Sequence, residues 1–250
     1  MMLLFRYPRL VFLFSFLLLW LAAWIGGRMG RKAKLEEESR ADFGVVQGAT
    51  LTLLGLIIGF SFSMAIGRYD QRKIYEEAEA NAIGTEYVRA DLLPAPEAVR
   101  VRELLRRYTD LRIAFYETRD RDELKKIDTD TAAVQGELWA AVAHSAVAQP
   151  TPVLALAAGG MNDVLNSQGY TQAAWWNRIP EGAWGLMFLI ALFANWMLGY
   201  GARQMQTKLL IVLPLVVSIS FFLISDIDSP RRGMIRVHPQ NLESLRDSLR

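Results

Sequence analysis

The chain has 250 residues, 52% hydrophobic and 22% charged, with a formal net charge of +2 and no cysteine. The apolar share exceeds the soluble average while leaving charge for a solvated part. The near-neutral balance, with arginines interleaved among acids, excludes a nucleic-acid-binding stripe, and the lack of cysteine excludes disulfides and thiolate metal sites.

The first apolar run, Leu10 to Ile25, lies between Arg6 and Arg9 on one side and Arg28, Arg31, Lys32 and Lys34 on the other. It has about the minimum length for a membrane span. A basic start, an apolar core and small Ala22 and Ala23 also fit a cleaved signal peptide. Trp20 and Trp24 suit an interface belt, and the basic cluster after the run would have to begin translocation, so a span is preferred.

The second run, Phe43 to Gly67, carries Gly48, Thr52, Gly55, Gly59, Ser63 and Gly67 at three- or four-residue intervals. That spacing rules one helix face with small residues, which lets backbones approach closely in lipid. Leu56, Phe60 and Met64, with neighbouring Phe62, form a bulky ladder beside it. Such a ladder is ordinarily bundle or lipid contact; repeated around an oligomer axis it becomes a hydrophobic gate. Arg68 and Arg72 follow, then Glu76, Glu77 and Glu79. They read either as a solvated helix with Arg72–Glu76 and Lys73–Glu77 pairs or as an anion-concentrating ring at a pore mouth. Helix formers continue to Pro94 with Gly84 as the one weak point, so a single helix is predicted to run from membrane into water.

Helical periodicity then predicts Ala95 to Tyr116, Asp122 to Ala148, and a helix that begins after Pro150 and Pro152 and runs to about Gln168, capped by Gly169. Trp175 and Trp176 return the chain to the membrane. A third span, Gly182 to Gly201, has Trp184, Trp196 and Tyr200 placed as interface belts. A fourth, Leu209 to Ser225, contains Pro214, which kinks it unless it falls in the first turn. Asp226 and Asp228 end this span, and with Pro230, Arg231 and Arg232 they read as a structural clamp, Asp226 also being placed to face the basic end of the second span; calcium is the sharper alternative, but the local sequence offers too few oxygen ligands. The tail is predicted to turn at Ser229 to Gly233, extend briefly, and form a helix from Pro239.

The fold class is therefore all-α: a four-span helical membrane protein with an extramembrane helical domain inserted between the second and third spans. The divisions are 1–67, the first transmembrane pair; 68–181, the helical domain; 182–226, the second pair; and 227–250, the tail. Arg6, Arg9, Arg68, Arg72, Lys73, Arg178, Arg231, Arg232 and Arg236 outnumber Arg28, Arg31, Lys32, Lys34, Arg40, Arg203 and Lys208 across the bilayer. That bias puts both termini and the helical domain in the cytoplasm.

The segments LLGLIIGFSFSMAIGRYDQR, EANAIGTEYVRADLLP, MNDVLNSQ and DIDSPRRGMIRV resemble, in order, successive blocks of the bestrophin-like domain family, mostly bacterial membrane proteins. The resemblance runs from about Phe43 to Val237. It implies a homo-oligomer, pentameric in bestrophins, in the bacterial inner membrane, passing chloride or another small anion. The proline-containing neck signature and clustered acidic calcium clasp of animal bestrophins are not seen here, so calcium gating is not implied.

No enzyme is expected. His144 and His238 lie far apart outside any metal or nucleophile motif, no phosphate-binding glycine loop occurs, and no cofactor or metal is called for. Two functions stand: an oligomeric passive anion channel lined by the second span, or a non-conducting scaffold or sensor that binds a protein partner through its helical domain.

Overall fold

The computed structural model describes residues 7–31, 37–202 and 209–249. Arg6, Lys32, Lys34, Arg203 and Lys208, which enter the charge bias, lie outside the described residues. Those residues fold into eight α-helices with no strand: α1 (Pro8–Gly30), α2 (Glu37–Arg89), α3 (Ala95–Glu117), α4 (Arg121–Ala148), α5 (Pro152–Trp176), α6 (Glu181–Gly201), α7 (Val212–Asp228) and α8 (Gln240–Ser248). Short 3₁₀ turns follow α2 and precede α7. Among the described residues, three stretches are long and apolar enough to cross a membrane: Pro8–Gly30, Arg40–Leu92, and Pro152–Gly201, which joins α5 to α6. At 17 residues, α7 is shorter.

The chain divides into two compact units, residues 1–68 with 178–236, and residues 69–177 with 237–250. In the first, α1 packs along α6 through glycine. A methyl group on Gly26 would strike the Trp196 carbonyl, one on Gly30 the Tyr200 carbonyl, and one on Gly199 the Ala23 carbonyl. Such contacts let two backbones meet, the main gain available to helices in lipid. Phe12 of α1 meets Phe222 of α7 edge-on. Trp184, expected in an interface belt, is instead buried against Phe221 of α7, ring centroids 6.0 Å apart, because the start of α6 leans on α7. Pro214 falls in the first turn of α7, where its missing N–H has no helical partner to lose, and the helix continues beyond it.

In the second unit, α3 and α4 form an antiparallel pair. Asp120 caps α4 by accepting from the amides of Asp122 and Glu123, both at 2.9 Å. Thr151 caps α5 and Pro152 opens it. The expected stop at Gly169 does not occur. Helix α5 runs on to Trp176, since Trp175 packs edge-on against Phe115 and Tyr116, and that contact outweighs one interior glycine. Leu105, Tyr108, Phe115, Leu138, Val142, Met161 and Val164 fill the core, and α8 adds Leu242.

Candidate functional site

Within the first unit, α2 turns only a narrow strip inward: Leu54, Ser61 and Ala65 are buried. Its small stripe faces elsewhere. Among the described residues, a methyl group on Gly48, Gly55, Gly59 or Gly67 would meet nothing within 4 Å, and Thr52 and Ser63 are exposed. The bulky ladder is also uncovered; Phe60 is 63% exposed, and Leu56, Phe62 and Met64 are exposed beside it. The chain's own close helix contact thus uses Gly26, Gly30 and Gly199, glycines that the sequence reading did not single out.

Where this segment of α2 ends, Arg68 Nη1 lies 3.6 Å from Asp228 Oδ1. The same carboxylate accepts from the Ile179 amide, at 3.3 and 3.2 Å, just before α6. Asp226 behaves differently. Its two oxygens accept from the Met234 amide at 2.8 and 2.9 Å, and Oδ2 also from the Ile235 amide at 2.8 Å. Thus the acid that meets the basic end of the second span is Asp228, and Asp226 instead fastens the turn after α7. Arg232 lies over the Tyr7 ring, 4.0 Å from its centroid. Both acids thus hold backbone amides, donors that side-chain charge patterns cannot reveal.

In the second unit, Arg72 is buried and its Nε donates to the Ala174 carbonyl at 3.4 Å. Glu76, expected to pair with Arg72 on the helix surface, is buried and accepts from the amides of Asn241 and Leu242 at 2.9 and 3.0 Å and from Asn241 Nδ2 at 2.6 Å. It caps α8 from another helix, since Pro239 offers no side-chain acceptor there. Glu79 is fully buried, paired with Arg112 Nε at 2.5 Å and accepting from Thr171 Oγ1 at 3.1 Å. Burial alone would lower the Arg112 pKa, but the charge of Glu79 and its hydrogen bond, together with Tyr108 and Tyr116, outweigh burial and push it up. The Arg112 guanidinium also lies over Phe115, 4.3 Å from the ring centroid.

Glu86 is the exception to this pairing. Both its oxygens are buried without a hydrogen-bond partner, and Oε2 lies against Gly160 of α5, where a methyl would collide with it and with the Arg89 guanidinium. Burial pushes its carboxyl up to about 8; Arg89 opposes the rise and Asp163 adds to it. Among these groups, the sequence reading singled out neither Glu86 nor Arg112. The signal was available: Ser61, Ala65, Arg72, Glu76, Glu79, Ile83 and Glu86 recur at heptad-like spacing along α2, so acids enter its buried stripe past Arg72.

The profile of the Bestrophin-like domain matches residues 12–242, nearly the whole chain. The chain belongs to the Bestrophin-like family. No curated protein matches it significantly by sequence. The fold is similar to that of a solved bacterial bestrophin homologue from Klebsiella pneumoniae, at 13% identity and a TM-score of 0.67, over 95% of this chain and 96% of that one. A solved membrane-protein variant is similar at 13% identity and a TM-score of 0.68, over 95% and 97%. Identity this low carries fold alone. Together with the apolar helices, the family makes this Bestrophin-like chain a membrane protein.

Proposed function

We propose that this Bestrophin-like chain is one subunit of a homo-oligomeric passive channel for chloride or another small anion, with α2 lining the pore. The carrying observation is the uncovered small face of α2. Glycines that meet nothing in their own chain gain little from lipid, whereas a second copy of the helix can approach through them. Family membership supports the oligomer, five copies being the bestrophin number, and the inner membrane as its location. Helices α1, α6 and α7 complete four spans, with both termini and the helical domain in the cytoplasm. The Leu56, Phe60, Phe62 and Met64 ladder supplies the gate, and Arg68 rather than buried Arg72 supplies the charge at the mouth.

Purified protein in planar bilayers under a chloride gradient tests this. Currents with a reversal potential near that of chloride, from particles with a rotational axis through α2, are expected. Inserted oligomers that stay electrically silent would transfer the weight to the scaffold reading.

A further inference from the structure

Within the second unit, α2 and α5 run antiparallel along one seam. Arg72 donates to the Ala174 carbonyl, Tyr75 stacks on Tyr170 with ring centroids 5.9 Å apart, Thr171 donates to Glu79, and Glu86 lies against Gly160. The two glutamates share one face of α2, seven residues apart, but they are held differently. Glu79 is engaged by Arg112, Thr171 and Tyr116. Glu86 is equally buried, yet neither of its oxygens has a hydrogen-bond partner.

Helix α5 is weakest beside this unpaired acid. Gly159 and Gly160 stand together in its interior. A methyl on Gly160 would meet the Glu86 carboxyl and the Arg89 guanidinium, whereas one on exposed Gly159 would meet nothing within 4 Å among the described residues. Adjacent glycines are where a helix bends most readily. Before them, Leu154 and Ala157 are buried; after them, Met161 and Val164 lead on to the Thr171 and Trp175 contacts. The charges that act on Glu86 are half-buried Arg89 from its own helix and exposed Asp163 from α5. Asp91, in the 3₁₀ turn that also packs on α5, is paired with Arg102 of α3.

We propose that Glu86 is a proton-operated latch: protonated, it lets the first half of α5 close on α2; ionised, it draws water into the seam, and residues 152–160 swing away about the Gly159–Gly160 hinge. A neutral acid is tolerated in such a seam, whereas an unpaired carboxylate has to be hydrated or neutralised. Burial pushes this carboxyl up to about 8 although Arg89 opposes the rise, so the change falls just above neutral pH. Glu79, with its counter-charge beside it, keeps the other end of the seam closed. The opening lies wholly within the second unit and is independent of conduction.

Hydrogen exchange read by mass spectrometry on the full-length protein in detergent, from about pH 6 to about pH 9 and corrected for the intrinsic pH dependence of amide exchange, tests the latch. Protection of the first half of α5 should fall about tenfold over that range, while peptides covering residues 171–176 and α3 keep theirs. Glu86→Gln, which cannot ionise, should show no such fall. Gly159→Ala, which stiffens the hinge without a clash, should cut the opening at about pH 9 roughly fivefold. Protection in the first half of α5 that is unchanged in wild type overturns the proposal, as does an equal fall in Glu86→Gln. A fall spread evenly over every helix of the second unit also overturns it, since the whole unit would then be opening. The wild-type and Gly159→Ala profiles decide the matter even where Glu86→Gln does not fold.

Discussion

Arg68 is joined to Asp228, 3.6 Å away, and the same carboxylate holds the Ile179 amide, so one acid ties the end of the apolar part of α2 to the start of α6. Both side chains are largely shielded, Asp228 more than Arg68. Asp228→Asn keeps an acceptor for the amide but leaves Arg68 without its counter-charge, and should cost about 1–3 kcal/mol. Thermal melts of the purified variant in detergent measure this. In a double-mutant cycle with Arg68→Gln, a coupling below about 0.5 kcal/mol would show the pair to be incidental.

Glu86 makes stability depend on pH. Burial pushes its folded carboxyl up to about 8 from the ordinary 4.5, so the folded chain holds this proton more tightly than the unfolded chain does. Its contribution is therefore complete below about pH 4.5 and is lost as pH rises through about 8. Glu86→Gln, which cannot ionise, should match wild type near pH 5 and melt several degrees higher near pH 9, roughly the change that 1–2 kcal/mol produces in a domain this size. Melting curves for the two proteins that stay parallel across that range would mean that Glu86 does not titrate there.

Two sets of glycine make opposite predictions. Gly199→Ala drives a methyl into the Ala23 carbonyl, a backbone atom that cannot step aside, and should lower the melting temperature even of monomeric protein in harsh detergent. Gly59→Leu meets open space in its own chain and should leave that monomer intact while disrupting assembly. Native mass measurement beside melting separates the two effects. A Gly59→Leu protein with wild-type oligomer mass would remove the packing role from the small stripe.

These contrasts mark what sequence could and could not supply. Helices α3 and α4 were legible because their apolar residues recur with the helical period, and the long α2 because no proline interrupts it before Pro94. Periodicity identifies a face but not its partner, so the Gly48 to Gly67 stripe was prominent while Gly26, Gly30 and Gly199 made the contact within the chain. Trp184 has the composition of a belt residue whether it meets headgroups or Phe221. Asp226 and Glu76 show the deeper limit. Charge patterns suggest charged partners, but these acids bind backbone amides brought near by turns and by α8, and an amide leaves no mark in the sequence.

Phe60 separates gating from assembly. It is the most exposed member of its ladder and lies one position after Gly59, so an α2 helix that meets its neighbours through glycine would turn Phe60 to one side of that contact. If that side faces the axis, a ring of phenylalanines excludes water, and Phe60→Ala should wet the constriction and raise single-channel conductance severalfold without changing oligomer mass. Reversal potential in asymmetric chloride should stay unchanged in Phe60→Ala. It should move toward zero in Arg68→Gln, which removes positive charge from the mouth without the repulsion from Asp228 that glutamate would introduce. Equal currents from wild type and Phe60→Ala, both confirmed as inserted oligomers, would place Phe60 against lipid and move the gate elsewhere along α2.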